Sequence, residues 1–221
     1  MMKEELLKTS SMQKKLIYPN EYYKSKGRYL IDRINYLRQD IGLRFNNKTF
    51  KNFEKNRSSL AYKVCLDYAK NFIEKSYKGE GLFITGNVGS GKTHLVVAII
   101  DYIARMYKRK IKTFIVFKTS VDMLAEIKYS FDKKNTEEVV NNFQDCCLLV
   151  IDDLGSEKMT DWTNELFYKV IDYRYSNLKS TIITTNLTDQ EIKEKLSERL
   201  VSRIYEMCKG IKVIGKDYRL K

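Results

Sequence analysis

The 221-residue chain holds a single proline, a single histidine and a single tryptophan. One proline excludes a proline-rich linker, and neither an internal repeat nor a low-complexity stretch divides the chain. One substantial core with a small appendage is the natural arrangement at this length. Long apolar runs are missing too. None approaches the roughly 20 residues needed to span a bilayer, which excludes a membrane-spanning helix. The opening MMKEELLKTSSMQKK carries acidic residues and no apolar core, so it is not a secretory signal. A cytoplasmic protein is expected. The four cysteines, Cys65, Cys146, Cys147 and Cys208, lack C-x-x-C spacing. They read as free thiols, Cys65 on the apolar face of a helix and Cys146–Cys147 opening a buried strand.

Acidic residues are also scarce, 28 against 41 Lys and Arg, for a net charge of +13. The excess is uneven. Residues 1–80 carry 18 basic and 9 acidic residues, and residues 81–221 carry 23 and 19. A basic, tyrosine-rich chain suits a nucleic-acid partner. A coding bias toward lysine, asparagine, isoleucine and tyrosine would leave the same mark.

What the chain does have is the run Leu82-Phe83-Ile84-Thr85-Gly86-Asn87-Val88-Gly89-Ser90-Gly91-Lys92-Thr93. A short apolar strand enters Gly-x-x-x-x-Gly-Lys-Thr, and an apolar helix from Leu95 to Met106 leaves it. This is the phosphate-binding P-loop in the strand-loop-helix setting that its chemistry needs. The glycines let successive N–H groups face one concavity, and the helix adds its positive end. Lys92 can reach terminal phosphates, and the Thr93 hydroxyl can complete a Mg²⁺ shell. His94, next in sequence, reads as helix packing or a contact to the edge of a nucleotide.

Upstream, Leu30, Ile31, Ile34, Leu37 and Ile41 recur at helical spacing, with Arg28, Arg33 and Arg38 between them. Gly42 and Asn46-Asn47 end this amphipathic helix and mark a boundary, so residues 1–43 read as a small helical region and 44–221 as the main domain. Ser58-Ser59 offers an N-cap for a helical stripe of Ala61, Val64, Cys65, Tyr68, Ala69, Phe72 and Ile73. Strands follow at 82–85, 112–118, 146–151 and 181–185, with a fifth at 211–214. Helices alternate with them at 92–107, 121–131, 137–143, 161–178 and 189–196. Near-continuous apolar strands between helices imply an α/β fold with a parallel sheet covered on both faces.

The strand at 146–151 runs into Asp152-Asp153. A carboxylate at the carboxyl end of a buried strand lies where open α/β sheets bind ligands. Asp152 can therefore hold Mg²⁺, and Asp153 can polarise an attacking water or simply cap a helix. The next strand ends Thr184-Thr185-Asn186, where Asn186 can sit between the γ-phosphate and that water or serve as an ordinary turn residue. In Glu198-Arg199-Leu200-Val201-Ser202-Arg203, the two arginines share one helical face. Neither has a carboxylate four residues on, since Arg203 meets Met207. Arginines so presented suit an intersubunit finger, although a surface ion pair is the ordinary use of such residues.

P-loop, Ile-Asp-Asp-Leu-Gly, Thr-Thr-Asn and Glu-Arg-Leu-x-Ser-Arg in this order resemble the AAA+ ATPases of the DnaC/DnaI helicase-loader type, a group that includes the transposition-helper ATPase IstB. The likeness takes in Arg44-Phe45-x-Asn47-x-Thr49-Phe50-x-Asn52-Phe53 and Gly215-Lys216-Asp217-Tyr218-Arg219. It implies a P-loop AAA+ sheet flanked by helices, without a C-terminal lid, because only 18 residues follow Arg203. It further implies that Gly86, Asn87, Val88, Gly89, Ser90, Gly91, Lys92, Thr93 and His94 bind ATP, and that Thr93 and Asp152 hold Mg²⁺. Asp153 stands where many AAA+ proteins have glutamate. Asn186 corresponds to sensor 1, and Arg203 to the arginine finger with Arg199 as helper. The implied function is an ATPase that binds a hexameric replicative helicase through residues 1–43 and delivers it to single-stranded DNA. Its subunits associate through the trans arginine, and the helix Val121 to Phe131 offers Lys128 and Tyr129 as DNA contacts or is a plain amphipathic helix packed through Val121, Leu124 and Phe131. A transposition helper and a non-hydrolysing, ATP-switched helicase adaptor remain alternatives.

Overall fold

The computed structural model describes residues 41–106, 115–215 and 217. The amphipathic helix expected from Leu30 to Leu37, residues 1–40 of the expected helicase-binding region and residues 112–114 of the second expected strand lie outside the described residues. Ile41 is buried in the core, and Gly42 follows it at φ +79°, a conformation that glycine adopts freely.

Five strands, β1 Gly81–Thr85, β2 Ile115–Thr119, β3 Leu148–Asp152, β4 Ser180–Thr185 and β5 Cys208–Lys212, form one sheet in the order β2-β3-β4-β1-β5. Every pairing is parallel. Because a parallel sheet needs crossovers that cover both faces, alternate residues of each strand enter two separate cores. Leu82, Ile84, Phe117, Leu148, Val150 and Ile182 pack on one side with helices α1 (Ser59–Lys70) and α3 (Lys92–Met106). Phe83, Val116, Leu149, Ile151 and Ile183 pack on the other. There they meet α4 (Ser120–Asp132), α5 (Thr136–Asp145), α6 (Asp161–Ser176), α7 (Asp189–Lys195) and α8 (Glu198–Met207). The order sets β3, β4 and β1 side by side, so their carboxyl ends converge.

Several elements differ from the sequence expectation. The stripe from Ala61 to Ile73 is broken at Asn71 (φ −104°, ψ 20°), giving α1 and a separate α2 (Phe72–Tyr77). Ser58 stands at the N-cap of α1 without a side-chain capping hydrogen bond, and contributes its carbonyl to Tyr62 N–H at 3.0 Å. Cys146 and Cys147 precede β3 rather than open it, because α5 runs to Asp145. The last strand begins three residues early, at Cys208, where α8 passes directly into an edge strand paired with Gly81–Thr85. Among the described residues, no helix is long and apolar enough to cross a membrane.

Arg174 of α6 is fully buried. Its Nη1 donates to the carbonyls of Phe143, Gln144 and Cys146 at 2.8–3.0 Å, its Nη2 to Ser180 O, and its Nε to Thr181 Oγ1 at 2.9 Å. One guanidinium thus satisfies the open carbonyl end of α5 and ties it to the start of β4.

Candidate nucleotide-binding site

The loop between β1 and α3 curls because its glycines take positive φ, +148° at Gly86, +71° at Gly89 and +105° at Gly91. Two of them also admit close neighbours. A Cβ at Gly86 would lie 2.4 Å from Val213 O, and one at Gly89 would lie 1.8 Å from Asp217 Oδ1. The segment after β5 therefore lies against the loop, with Val213 N–H bonded to Thr85 O at 2.8 Å. Ser90 is buried, and its Oγ has no hydrogen-bond partner among the described residues. Val88 is exposed at the loop's tip.

Lys92 opens α3 and is 6% exposed. Its ammonium donates to Gly86 O at 2.7 Å, Asn87 O at 2.9 Å and Asn186 Oδ1. Asn186, just past the tip of β4, in turn donates from Nδ2 to Asp153 Oδ1. Beside this chain, Thr93 Oγ1 donates to Asp152 Oδ2 at 2.9 Å and Thr184 Oγ1 to Asp152 Oδ1 at 2.6 Å. Burial pushes the Asp152 carboxyl above its usual range, and the two hydroxyl donors pull it partly back. Asp153 sits at φ +61°, an uncommon conformation for a residue other than glycine. Ser120 Oγ lies 3.0 Å from its carbonyl oxygen.

Five candidate residues from the start of α3 and the ends of β3 and β4 thus form one connected group: Lys92, Thr93, Asp152, Asp153 and Asn186. Thr184 and Ser120 belong to it and were missed. The signal for Thr184 is the first hydroxyl in Thr-Thr-Asn, a polar residue directly after the apolar pair Ile182 and Ile183. The donor set fits Mg²⁺, which prefers oxygen ligands and keeps few of them from protein. A hydroxyl and a buried carboxylate supply two oxygens 2.9 Å apart. The buried ammonium, the concave loop and the unpaired Ser90 hydroxyl fit a polyphosphate.

Other candidates lie apart from this group. The His94 ring nitrogen Nε2 is 3.0 Å from Thr49 O and 3.1 Å from Asn52 Oδ1, and Phe53 meets the ring edge-on at 5.1 Å. His94 therefore docks the 49–53 segment, and burial holds its pKa below the usual value. Arg199 is exposed. Arg203 has a carboxylate partner, though not one on its own helix. Its Nε donates to Asp172 Oδ1 at 2.8 Å, and its guanidinium lies over the Tyr175 ring at 4.6 Å. That partner comes from α6, 31 residues upstream in sequence. On α4, Leu124 is buried as expected, whereas Val121 and Phe131 are exposed and Met123 and Ile127 do the packing. Lys128 lies over the Trp162 ring at 5.3 Å, Phe131 meets that ring edge-on, and Lys133 lies over exposed Tyr129 at 4.4 Å.

The model of the family described as IstB-like ATP binding protein matches residues 33–221. The chain belongs to that family. Among relatives of this IstB-like protein, the phage-like element PBSX protein XkdC of Bacillus subtilis is 30% identical over 80% of the chain and 68% of its own length. The replicative helicase loader DnaI of Bacillus subtilis is 28% identical over 69% of the chain. The IstB-like chain spans about half the length of DnaI. The crystal structure of the DnaC helicase loader superposes with a TM-score of 0.67 at 32% identity, over 78% of this chain and 99% of that one. The fold is the P-loop AAA+ sheet of these loaders.

Proposed function

We infer that the chain is an ATP-dependent loader that binds a hexameric replicative helicase and delivers it to single-stranded DNA. The observation that carries this reading is the connected group Lys92–Asn186–Asp153 and Thr93–Asp152, where the start of α3 meets the ends of β3 and β4, in a chain whose relatives include helicase loaders. ATP phosphates would rest in the concavity of residues 86–93, against main-chain N–H groups and the positive end of α3. Lys92, now held by Gly86 O, Asn87 O and Asn186, would turn its ammonium to the terminal phosphates. Thr93 and Asp152 would hold Mg²⁺, which when bound neutralises phosphate charge. Asp153 would polarise the water that Asn186 helps to orient. An aspartate reaches less far than the glutamate common in AAA+ proteins, so slow turnover is expected, with ATP acting chiefly on assembly.

Arg203, with Arg199 beside it, would leave Asp172 to face the phosphates of a neighbouring subunit, where an added cation stabilises the transferring phosphoryl group. Lys128 and Tyr129, joined by Phe131, Lys133 and Trp162, would track single-stranded DNA through charge and base stacking. Residues 1–43 would grip the helicase, and residues 44–221 would form the ATPase domain. Co-purification of the full chain with the host's replicative helicase, and its loss on deletion of residues 1–43, tests the reading. Retention of the helicase by the deleted chain contradicts the docking role, and capture of a transposase in its place supports the transposition-helper alternative, for which an insertion-sequence ATP-binding protein among the relatives speaks. Absence of any turnover with helicase and DNA present would leave an ATP-switched adaptor.

A further inference from the structure

Sequence reading gives Asn186 a role and leaves the two threonines before it without one. Thr184 is fully buried on β4, between strands whose other inward residues are largely apolar. Its hydroxyl has one proton and two lone pairs. The proton goes to Asp152 Oδ1 at 2.6 Å, and a lone pair accepts Asp153 N–H at 2.8 Å. Both partners are therefore the adjacent carboxylate residues of the site. The Thr184 carbonyl also accepts Leu154 N–H at 2.8 Å, and Thr185 Oγ1 donates to Leu154 O at 2.7 Å. Together these bonds hold the 152–154 turn, in which Asp153 takes its left-handed conformation.

A valine would fill the same space without burying a hydroxyl, as Ile182 and Ile183 do in the same strand. Packing alone does not require the oxygen. Asp152 has two oxygens, one engaged by Thr93 and the other by Thr184. The Thr93 hydroxyl is itself a candidate metal ligand, which leaves Thr184 as the support that aims the carboxylate from behind. We propose that Thr184 is a positioning residue, whose one hydroxyl fixes the Asp152 carboxylate and the Asp153 main chain in a single relative position. This rests on the reading of Asp152 and Asp153 as the magnesium-holding and water-polarising groups.

The test is nucleotide binding, followed with a fluorescent ATP analogue in EDTA and across a Mg²⁺ titration, beside steady-state ATPase measurements on the full chain. Supporting partners of metal ligands typically contribute about 10–100-fold in metal affinity or activity. Thr184→Val should raise the half-saturating Mg²⁺ concentration by about tenfold and lower kcat by about 10–100-fold, with KM for ATP and metal-free affinity little changed. Thr184→Ser should restore both. A valine variant with the wild-type Mg²⁺ dependence overturns the proposal, as does one whose metal-free affinity falls equally. If the valine variant does not fold, Thr184→Cys, a weak donor of similar size, should give an intermediate Mg²⁺ dependence, and a wild-type value overturns the proposal. Asp152→Asn separates the two levels. If it leaves Mg²⁺ dependence intact, the underlying site reading fails and the proposal with it. If it abolishes that dependence while Thr184→Val does not, only the positioning role fails.

Discussion

Replacing Arg174 with methionine keeps the length of the side chain and removes every donor. Six acceptors lose a hydrogen bond at once: the carbonyls of Phe143, Gln144, Cys146 and Ser180, the Thr181 hydroxyl and the Cys146 sulfur. A buried acceptor left unsatisfied costs about 1–3 kcal/mol. Some of that is offset, because the variant no longer buries a positive charge among carbonyls. The net loss should be about 3–5 kcal/mol, a few unsatisfied acceptors' worth after that offset. In a chain of this size each kcal/mol moves Tm by about 2–4 °C, so a drop of about 6–20 °C is expected. Thermal unfolding followed by far-UV circular dichroism measures it. The loss should also weaken nucleotide binding, because Arg174 anchors the region where β3 and β4 begin and both strands end at the site. A Tm within about 2 °C of wild type would refute the reasoning, since it would mean that these carbonyls find other partners at no cost.

Three further outcomes follow from particular residues. Asp152 has its carboxyl pushed above the ordinary value of 3.8 by burial. The folded chain therefore binds a proton more tightly than the unfolded one, and stability falls as pH rises through that window. Asp152→Asn should raise the Tm of the metal-free protein at pH 7 while abolishing Mg²⁺-dependent nucleotide binding, and a lowered Tm with correct folding would contradict this. Trp162 is the chain's single tryptophan and shares a surface with Lys128 and Phe131. Its emission should quench on titration with oligo-dT, with an affinity that falls steeply with salt, and Lys128→Ala should reduce the salt slope by about 1. A flat salt response would refute the electrostatic reading. The Asp217 carboxylate lies against Gly89 of the phosphate loop. Asp217→Asn should tighten ATP binding by about two- to fivefold by removing like charge near the phosphates, and unchanged or weaker binding in calorimetry would contradict that.

The parts of the site that sequence reading recovers are those whose chemistry is local. The P-loop is legible because its glycines, lysine and threonine must be contiguous, and Asp152 because four apolar residues deliver it to a strand tip. Asp172 is not legible as the partner of Arg203, since it approaches from another helix through tertiary packing. The end of α5 is hidden for a similar reason. The carbonyls of Phe143, Gln144 and Cys146 are satisfied by Arg174 from α6. That lets the helix run to Asp145, one residue before the point where the apolar run suggests a strand. The start of β5 is hidden because Cys208–Lys212 is an edge strand with polar Lys209 and Lys212 exposed, and no turn residue separates it from α8. On α4, an apolar count cannot tell Val121 and Phe131, which face outward, from Met123 and Ile127, which face the core.

The central claim is that the nucleotide site is shared, with Lys92 from one subunit and Arg203 from its neighbour. Mixing two inactive variants tests it most directly. Lys92→Ala and Arg203→Ala chains should each lack assembly-dependent ATPase activity, the second while still binding ATP. In an equimolar mixture, half the subunits carry an intact Lys92 and half the neighbours an intact Arg203, so about a quarter of the wild-type rate should return. If the mixture stays as inactive as its components, although both variants enter the same assemblies, the two residues do not meet across a subunit boundary and the account is wrong.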